Sequence, residues 1–514
     1  EERIRVCSGL IELDPGNASR YKTEILWVTK ELKVFEGLRH LENTRVYIDV
    51  ESLKPWARRE LGELFERYTR LAVIEVDLPK VSVATALAQF IVDRQPLAES
   101  LSVVEDTEAN RVLGQILSTL RHQLLFHPRH GLEFYLSSRV RHGVIGGRLR
   151  APVQSRDLLT TRDEGSQRYS PDSPWIERIE HTSPEQRQAV GEAFATFSEG
   201  YNAEINQLVK AKLHVRSAGH PEGLIDMDAL NSPLVFNLIG EKLRQVETFD
   251  DFYEAATAYS SASIGPSLEA VQRTLREEVK PRLLDAIRQL ESRISSCLRP
   301  EQYGELRAAL RSASTELQDT VDAVSRWFKL GSAEDLSVGF EIGDIVDIAV
   351  QSVKLCNKGF EPQLETDYRV TQQWGAAMLS ELSDILFIAL SNVAEHSKVG
   401  PSPWASISVV EHTERGELEV RVHSQVADGV FNPAGVRELE QIKGEILAKT
   451  YASKAQGEGK TGLIKISNIL SQHQSHSLDF GFLGPSEFFV HLSMSFLYYQ
   501  PYELPAAGPQ KEPV

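Results

Sequence analysis

The sequence predicts a multidomain protein whose N-terminal and middle regions are mainly α-helical and whose C-terminal region is an α+β domain, a mixed sheet covered by helices. Two observations predict this architecture. Apolar residues recur at helical spacing over residues 266–328, and helix-like and strand-like segments alternate after Gly331. The length of 514 residues gives room for about three domains.

The composition is that of a globular protein, with 41% hydrophobic and 25% charged residues. No apolar run approaches the roughly 18–20 residues of a membrane span. The three cysteines lie far apart without CxxC spacing, which favours a reducing, cytoplasmic location over a disulfide framework or a zinc site. The net charge of −17 argues against a uniformly basic nucleic-acid binder. Because the chain starts with Glu and its first methionine is Met227, we expect a piece of a longer protein, with N-terminal processing as the alternative.

Residues 1–170 are predicted to form a mostly helical N-terminal region, with one strand-like segment, LAVIEVDL, at 71–78. The polar, Pro- and Ser-rich stretch 151–182 suits an extended crossing or linker. A helix should begin at Ser183-Pro-Glu-Gln186, where Ser is a capping residue, Pro occupies the first helical position and Gln completes a capping box.

Residues 171–335 should contain a long helical hairpin over 266–328. Apolar residues at steps of three and four form one stripe before the break at Leu298-Arg-Pro300 and another after it, and Pro281 should kink the first arm. The stripes have two interpretations: the helices pack inside their own domain, or they meet a second copy and make the protein a homodimer.

Residues 336–498 are predicted to run helix, strand, helix, two strands, helix, Gly-rich loop, helix, two strands. The residues after 498 form a Pro-rich tail that we expect to be disordered. The helices are predicted at 340–355, 378–397, 433–452 and after Gly462, and the strands at 360–368, 404–412, 416–424, 477–483 and 487–496.

The Gly-rich loop GEGKTG, 457–462, superficially looks like a Walker A motif. That motif needs a glycine five residues before Gly459, where this chain has Lys454, and it also needs a strand that runs directly into the loop. The sequence therefore argues against a Walker phosphate loop.

The element order of 336–498 resembles the GHKL, or Bergerat-fold, ATPase domain of histidine kinases and gyrase B. In that family an Asn in the middle of a long helix ligates the Mg²⁺ of ATP, which here implies Asn392. A G-x-T/G-G-L box opens the next helix beneath the triphosphate, and glycines let backbone N–H groups approach phosphate at a helix N-terminus. The resemblance implies ATP and Mg²⁺ as cofactors and a phosphate site formed by Gly457, Gly459, Lys460, Thr461 and Gly462.

The sequence departs from this family at three places. The Asp that binds adenine should follow the second strand of the central pair, but His423, Ser424 and Gln425 stand there, with Asp428 a few residues late as a shifted substitute. Four residues before Asn392, where hydrolysing members carry Glu, this chain has Ile388. Residues 260–330 contain no histidine, so these predicted dimerisation helices offer no phosphoacceptor.

The segment Arg121–Arg150 carries six arginines, four histidines and one acid, Glu133. Three interpretations remain open: arginines that pair with acids within the fold, a phosphate or nucleic-acid contact, and acid–base cleavage of RNA. Arg121-x5-His127 is similar to the Arg-x4–6-His motif of HEPN ribonucleases, and Arg141 and His142 are further candidate catalytic residues, although Arg139-x-Arg-His142 is too short for that motif.

The sequence as a whole favours a dimeric regulatory or sensor protein with a degenerate GHKL-like domain, expected to be part of a larger bacterial signalling or phage-defence protein. The alternative is a HEPN-like ribonuclease, or an effector that binds phosphate or RNA through segment 121–150. A partner protein or effector domain elsewhere is expected in the first case.

Overall fold

The structure is a computed structural model, and it describes residues 2–74, 104–163, 168–179, 182–331, 339–357, 359–448 and 461–496. Most of these residues are helical. The helices, numbered in chain order, are α1 (Glu2–Leu13), α2 (Ala18–Asn43), α3 (Val50–Ile74), α4 (Glu108–Phe126), α5 (Leu132–Leu136), α6 (Val144–Gln154), α7 (Pro174–Arg178), α8 (Pro184–Gln207), α9 (Pro233–Leu243), α10 (Phe249–Ala262), α11 (Gly265–Arg273), α12 (Lys280–Cys297), α13 (Gly304–Ser325), α14 (Ile342–Cys356), α15 (Ala376–His396), α16 (Pro433–Leu447) and α17 (Gly462–Leu470).

One five-stranded mixed sheet lies in the C-terminal region, and this confirms the predicted fold class. Its strand order is β1-β2-β3-β5-β4, with β1 parallel to β2 and every other neighbour antiparallel. Along β2 and β3 buried side chains alternate with side chains that are mostly half-buried, because one face packs against helices. The strands are β1 (Gln363–Arg369), β2 (Trp404–His412), β3 (Glu417–Gln425), β4 (His476–Gly484) and β5 (Glu487–Ser495).

The chain divides into two compact units that are discontinuous in sequence. The first, which we call the sheet unit, comprises 1–44, 142–157 and 332–514, and the second, the helical unit, comprises 45–141 and 158–331. The domain boundaries predicted from sequence are continuous, so they do not anticipate that residues 1–44 belong to the same unit as the C-terminal sheet.

In the helical unit the predicted hairpin is present and its stripes are buried. All sixteen apolar positions of the two stripes are less than 9% exposed, and α12 packs on α8 as well as on α13. The chain's own helices therefore cover the stripes, which removes them as a basis for a dimer. The buried positions are Leu268, Val271, Leu275, Val279, Leu283, Ile287, Leu290, Ile294, Tyr303, Leu306, Leu310, Ala313, Leu317, Val321, Val324 and Phe328.

One local prediction in this unit, the capping box at the start of α8, is confirmed, and the kink at Pro281 stays a prediction. Ser183 accepts a hydrogen bond from the Gln186 N–H at 3.2 Å, and the Gln186 side chain accepts from the Ser183 N–H at 2.9 Å, which completes the capping box of α8. Pro281 lies in the first turn of α12, directly after a π-helical turn at Thr274–Val279. The wide turn is where the helix adapts to a proline that supplies no N–H.

In the sheet unit, α14 packs between α15, α2 and α6. The close approach of α2 and of α6 to α14 depends on one glycine in each of these two helices. A Cβ at Gly37 of α2 would lie 2.3 Å from Ile348 Cδ1, and one at Gly147 of α6 would lie 2.5 Å from the Cys356 carbonyl oxygen. Lys33 of α2 forms an ion pair with the buried Asp344 of α14, with 3.5 Å between Lys33 Nζ and Asp344 Oδ2.

The prediction of a strand at 71–78 is wrong for the residues that the structure describes. Residues 71–74 are the last turn of α3, because the amphipathic pattern that begins at Val50 continues through them and buries Ala72. Residues 75–78 lie outside the described residues, as does the tail beyond 496. The predicted linker at 151–182 contains the end of α6 and the short α7.

Candidate functional site

Asn392 and Gly462 lie side by side in the sheet unit. Asn392 is four residues from the end of α15, and Gly462 is the first residue of α17. A Cβ built on Gly462 would lie 3.3 Å from Asn392 Oδ1, 3.4 Å from Asn392 Nδ2 and 3.1 Å from Ile388 Cγ2. Glycine is therefore what lets the backbone at the start of α17 approach the Asn392 amide.

The N-terminus of α17 presents backbone N–H groups at this place. The first N–H groups of any α-helix have no acceptor within the helix, and the helix dipole makes that end attractive to anions. In α17 the first intrahelical bond is donated by the Lys465 N–H to the Thr461 carbonyl oxygen at 2.9 Å. Thr461, the N-cap, is 7% exposed and makes no side-chain capping bond.

Asp428 lies in an exposed turn between β3 and α16. Gly429 supplies a positive φ of +87°, and the Asn432 side chain donates to the Gly429 carbonyl oxygen at 3.0 Å while it caps α16. The Ala427 N–H donates to the Ser397 carbonyl oxygen at 2.8 Å, which ties this turn to the end of α15. The turn that carries Asp428 is thus fastened to the helix that carries Asn392.

The three residues at the expected adenine position are buried or form contacts with neighbouring strands of the sheet. The His423 Nδ1 lies 2.6 Å from Glu487 Oε1, Ser424 is buried, and the Gln425 side chain accepts from the Trp404 N–H at 3.3 Å. Gly457, Gly459 and Lys460 lie outside the described residues, so the predicted phosphate site is seen only at Thr461 and Gly462.

The side chains of His142, Lys465 and His396 interact where α15 ends and α17 begins. Burial lowers the pKa of His142 to about 3, and the charges of Lys465 and His396 lower it further. Lys465 is fully buried in α17. The next residue, Gly143, approaches Glu395: a Cβ there would lie 3.6 Å from Glu395 Oε1. His142 is therefore neutral at pH 7 and belongs with the end of α15 and the start of α17.

The other candidate catalytic residues lie in the helical unit. Arg121 donates from Nη1 to Asn231 Oδ1 at 2.6 Å. His127 Nδ1 accepts from the backbone N–H groups of Arg129 at 3.3 Å and His130 at 3.2 Å, and its ring stacks on His130 with centroids 4.8 Å apart. Burial, with the charges of His130 and Arg129, lowers the pKa of His127 to about 4. His127 thus stabilises a turn as a neutral acceptor.

Arg141 belongs to a buried network that the sequence did not reveal. Its guanidinium donates to Glu133 Oε1 at 2.8 Å and to the Leu213 carbonyl oxygen at 2.9 Å. Glu133 also binds His214 Nδ1 and the Val215 N–H, each at 2.8 Å. The one available signal was that Glu133 is the single acid in the Arg/His-rich segment. Arg139 lies over the Tyr135 ring at 4.7 Å, and Arg148 pairs with Glu42 at 3.5 Å.

The described residues carry little that points to a metal site or a membrane span. Within them no group of three or more His, Cys, Asp and Glu side chains could hold a metal ion, and the three cysteines are free. One helix, α15, is long and apolar enough to cross a membrane by length and composition. Of its most apolar window, 67% is buried in the protein, as in the core helix of a folded domain.

Comparison with known proteins shows what this chain is related to. The model of the Y4jQ family matches residues 55–328, more than half of the chain. The chain belongs to the Y4jQ family. A second model, described as "y4jQ C-terminal putative histidine kinase domain", matches residues 341–498. The C-terminal domain of this Y4jQ-family protein is therefore histidine-kinase-like, as the sequence predicted.

A relative and a solved structure give the extent of the similarity. The uncharacterized protein y4jQ of Sinorhizobium fredii (strain NBRC 101917 / NGR234) is 26% identical over 474 residues, which cover 91% of this chain and 44% of the relative. The chain thus spans less than half the length of that relative. The mycobacterial sensor histidine kinase MprB matches with 13% identity and a TM-score of 0.22, covering 32% of this chain and 100% of the MprB chain.

Proposed function

We propose that the histidine-kinase-like domain of this Y4jQ-family protein is a GHKL-type nucleotide-binding module that binds ATP with Mg²⁺ and serves a regulatory, sensor role. The observation that carries the proposal is the approach of Asn392 to Gly462 at the N-terminus of α17. It brings the amide implied as the Mg²⁺ ligand to the backbone implied as the phosphate site, although 70 residues separate them in sequence.

The residues around this contact fit a nucleotide. The Asn392 amide oxygen suits Mg²⁺, a hard cation that prefers oxygen ligands. Gly462 leaves the space that a Cβ would fill, and the N–H groups of α17 suit phosphate oxygens. Thr461 lies at the same helix end, and Gly457, Gly459 and Lys460 precede it in sequence. Asp428, in the turn fastened to α15, is the proposed acceptor for the adenine amino group.

Binding without rapid hydrolysis is the activity that these residues support. The position that would hold the carboxylate base is Ile388, which is 1% exposed and in contact distance of Gly462. An alkyl side chain cannot accept a proton from water, so general-base catalysis has no group at this position. We infer a degenerate domain in which occupancy by nucleotide, and not its turnover, carries the signal to an effector or partner protein.

Isothermal calorimetry with ATP and Mg²⁺ tests the proposal. Hydrogen bonds to charged groups contribute about 1.5–3 kcal/mol. Loss of the Asn392 contact with the charged Mg²⁺–ATP complex should cost a similar amount, so Asn392→Ala should bind at least about tenfold more weakly than the wild type. Asn206→Ala on α8 is the matched control, because it removes the same amide from a helix of the other unit and should bind like the wild type. Absence of binding by the wild-type protein contradicts the proposal.

The ribonuclease alternative has a separate test. The contacts of Arg141 and His127 already give both residues structural roles, which count against a catalytic one. Purified protein is incubated with single-stranded RNA beside His127→Ala and His142→Ala. Cleavage by the wild type that either substitution abolishes would establish the alternative. Cleavage that survives both, or no cleavage, removes it.

A further inference from the structure

Apolar side chains are exposed on the N-terminal helical hairpin of α1 and α2. Among the described residues, five of the twelve large apolar side chains that are exposed lie in these 42 residues, so the exposure is concentrated there. Clusters of this kind mark contact surfaces in soluble proteins. The five are Val6 at 56%, Leu13 at 84%, Leu26 at 72%, Trp27 at 53% and Phe35 at 63%.

The exposed side chains of α1 lie on one face of the helix. At about 100° per residue, Val6 and Leu13 are separated by about 20° around the axis, with Gly9 within about 60° of both. Gly9 is exposed, and a Cβ there would meet nothing within 4 Å. We call Val6, Gly9 and Leu13 the α1 face. Its central residue is Gly9, whose side chain is a single hydrogen atom, so another helix can approach closely at that point.

The charges beside the α1 face are complementary to a second, antiparallel copy of it. Arg5 and Glu12 are both exposed and are seven residues apart, so they occupy the same flank. A two-fold axis near Gly9 places Arg5 of one chain opposite Glu12 of the other, and the reverse pair forms by symmetry. An antiparallel partner also compensates the dipole of α1, whose last turn contains no basic residue.

The net charge favours a second copy over a charged partner. Residues 2–43 carry seven Lys and Arg and seven Asp and Glu, although the whole chain has a net charge of −17. The hairpin is thus a neutral surface on an acidic protein, where two copies meet without the repulsion expected elsewhere. We propose that the α1 face is a homodimer interface in which α1 pairs with α1 of a second copy in antiparallel orientation. This inference does not rest on the proposed nucleotide site.

Sedimentation velocity on the full chain tests the interface through a charge swap. The wild type should pass from monomer to dimer as concentration rises. Arg5→Glu places like charges together and should weaken dimerisation at least tenfold, as should Glu12→Arg. The double variant Arg5→Glu/Glu12→Arg restores the opposite-charge pairs and should recover the wild-type dissociation constant.

Apolar variants provide the matched control. Leu13→Glu should abolish the dimer, whereas Leu483→Glu, at a leucine that is 57% exposed on β4, should leave it intact. Circular dichroism checks that each variant is folded. A wild-type protein that stays monomeric, a dimer that Arg5→Glu leaves unchanged, or a double variant that is no better than the singles overturns the proposal.

Discussion

Asn392 Oδ1 lies 3.3 Å from the point where a Cβ of residue 462 would stand. The start of α17 therefore approaches the amide of α15 so closely that a Cβ at residue 462 would force a small shift of α17 or of Asn392. This relationship joins the two strongest sequence signals of the C-terminal domain, and the first prediction depends on it.

Gly462→Ala should impair nucleotide binding by more than it impairs folding. The added methyl group would meet Ile388 Cγ2 at 3.1 Å and the Asn392 amide at 3.3–3.4 Å, so α17 or Asn392 must shift. Calorimetry should show a loss of ATP affinity of at least about tenfold, ~1.4 kcal/mol.

Gly444→Ala is the control for that substitution. Gly444 is an exposed residue in α16 with nothing within 4 Å of its Cβ position. Alanine in a helix is more favourable than glycine by about 0.5–1 kcal/mol, so this variant should be slightly more stable and should bind ATP normally. Equal loss of binding in the two variants would show that helix content, and not the contact with Asn392, is responsible.

Glu133→Ala should strongly destabilise the helical unit. It leaves the buried Arg141 guanidinium without its carboxylate, and removing one partner of a buried ion pair costs about 3–5 kcal/mol. Chemical denaturation measures the free energy of unfolding. Asp106→Ala is the control because its pair with Arg111 is exposed, and this substitution should leave the denaturation curve unchanged. A wild-type curve for Glu133→Ala would contradict the structural role of the network.

The same network should lose stability in acid. Burial alone would raise the pKa of Glu133, but Arg141, His214 and the Val215 N–H together hold it below the ordinary value of 4.5. A carboxylate with a lowered folded-state pKa stabilises the fold above its unfolded pKa, and this contribution is lost as pH falls through the folded value. The melting temperature of the wild type should fall as the pH is lowered through this acidic range, and the melting temperature of Glu133→Gln should fall less.

His127 should make stability fall over a different range of pH. Its pKa is about 4 in the folded protein and 6.5 ordinarily, so the unfolded chain binds the proton more tightly. Its contribution is complete above about pH 6.5 and declines as pH falls towards 4. His127→Asn keeps an acceptor for the two N–H groups and removes the titration, so melts should depend less steeply on pH. His142, with a pKa of about 3, should also make stability fall as the pH is lowered. If His127→Asn leaves the slope of melting temperature against pH unchanged, the lowered pKa of His127 is contradicted.

Much of the fold could be predicted because local patterns specify it. β2 was predicted at its observed bounds, Trp404–His412, and the apolar stripes of residues 266–328 identified buried positions throughout. The strand predicted at 71–78 failed at 71–74 because a short apolar run does not distinguish a strand from the end of a long helix.

The candidate site was less predictable because its geometry is non-local. The sequence indicated Asn392 and Gly462 separately, but only the packing of α15 on α17 brings them into contact. No local pattern shows that His142 joins Lys465 and His396, or that Glu133 binds Arg141 and His214. Those contacts arise from segments far apart in sequence, and the periodicity of a single helix contains no information about them.

The most direct test of the nucleotide site is the dependence of ATP affinity on Mg²⁺, measured by calorimetry for the wild type and Asn392→Ala with and without the ion. If Asn392 ligates the Mg²⁺ of bound ATP, Mg²⁺ should increase the affinity of the wild type and have a much smaller effect in the variant, a coupling that a purely structural Asn would not produce. Equal enhancement by Mg²⁺ in both proteins, or no ATP binding by either, would contradict the account.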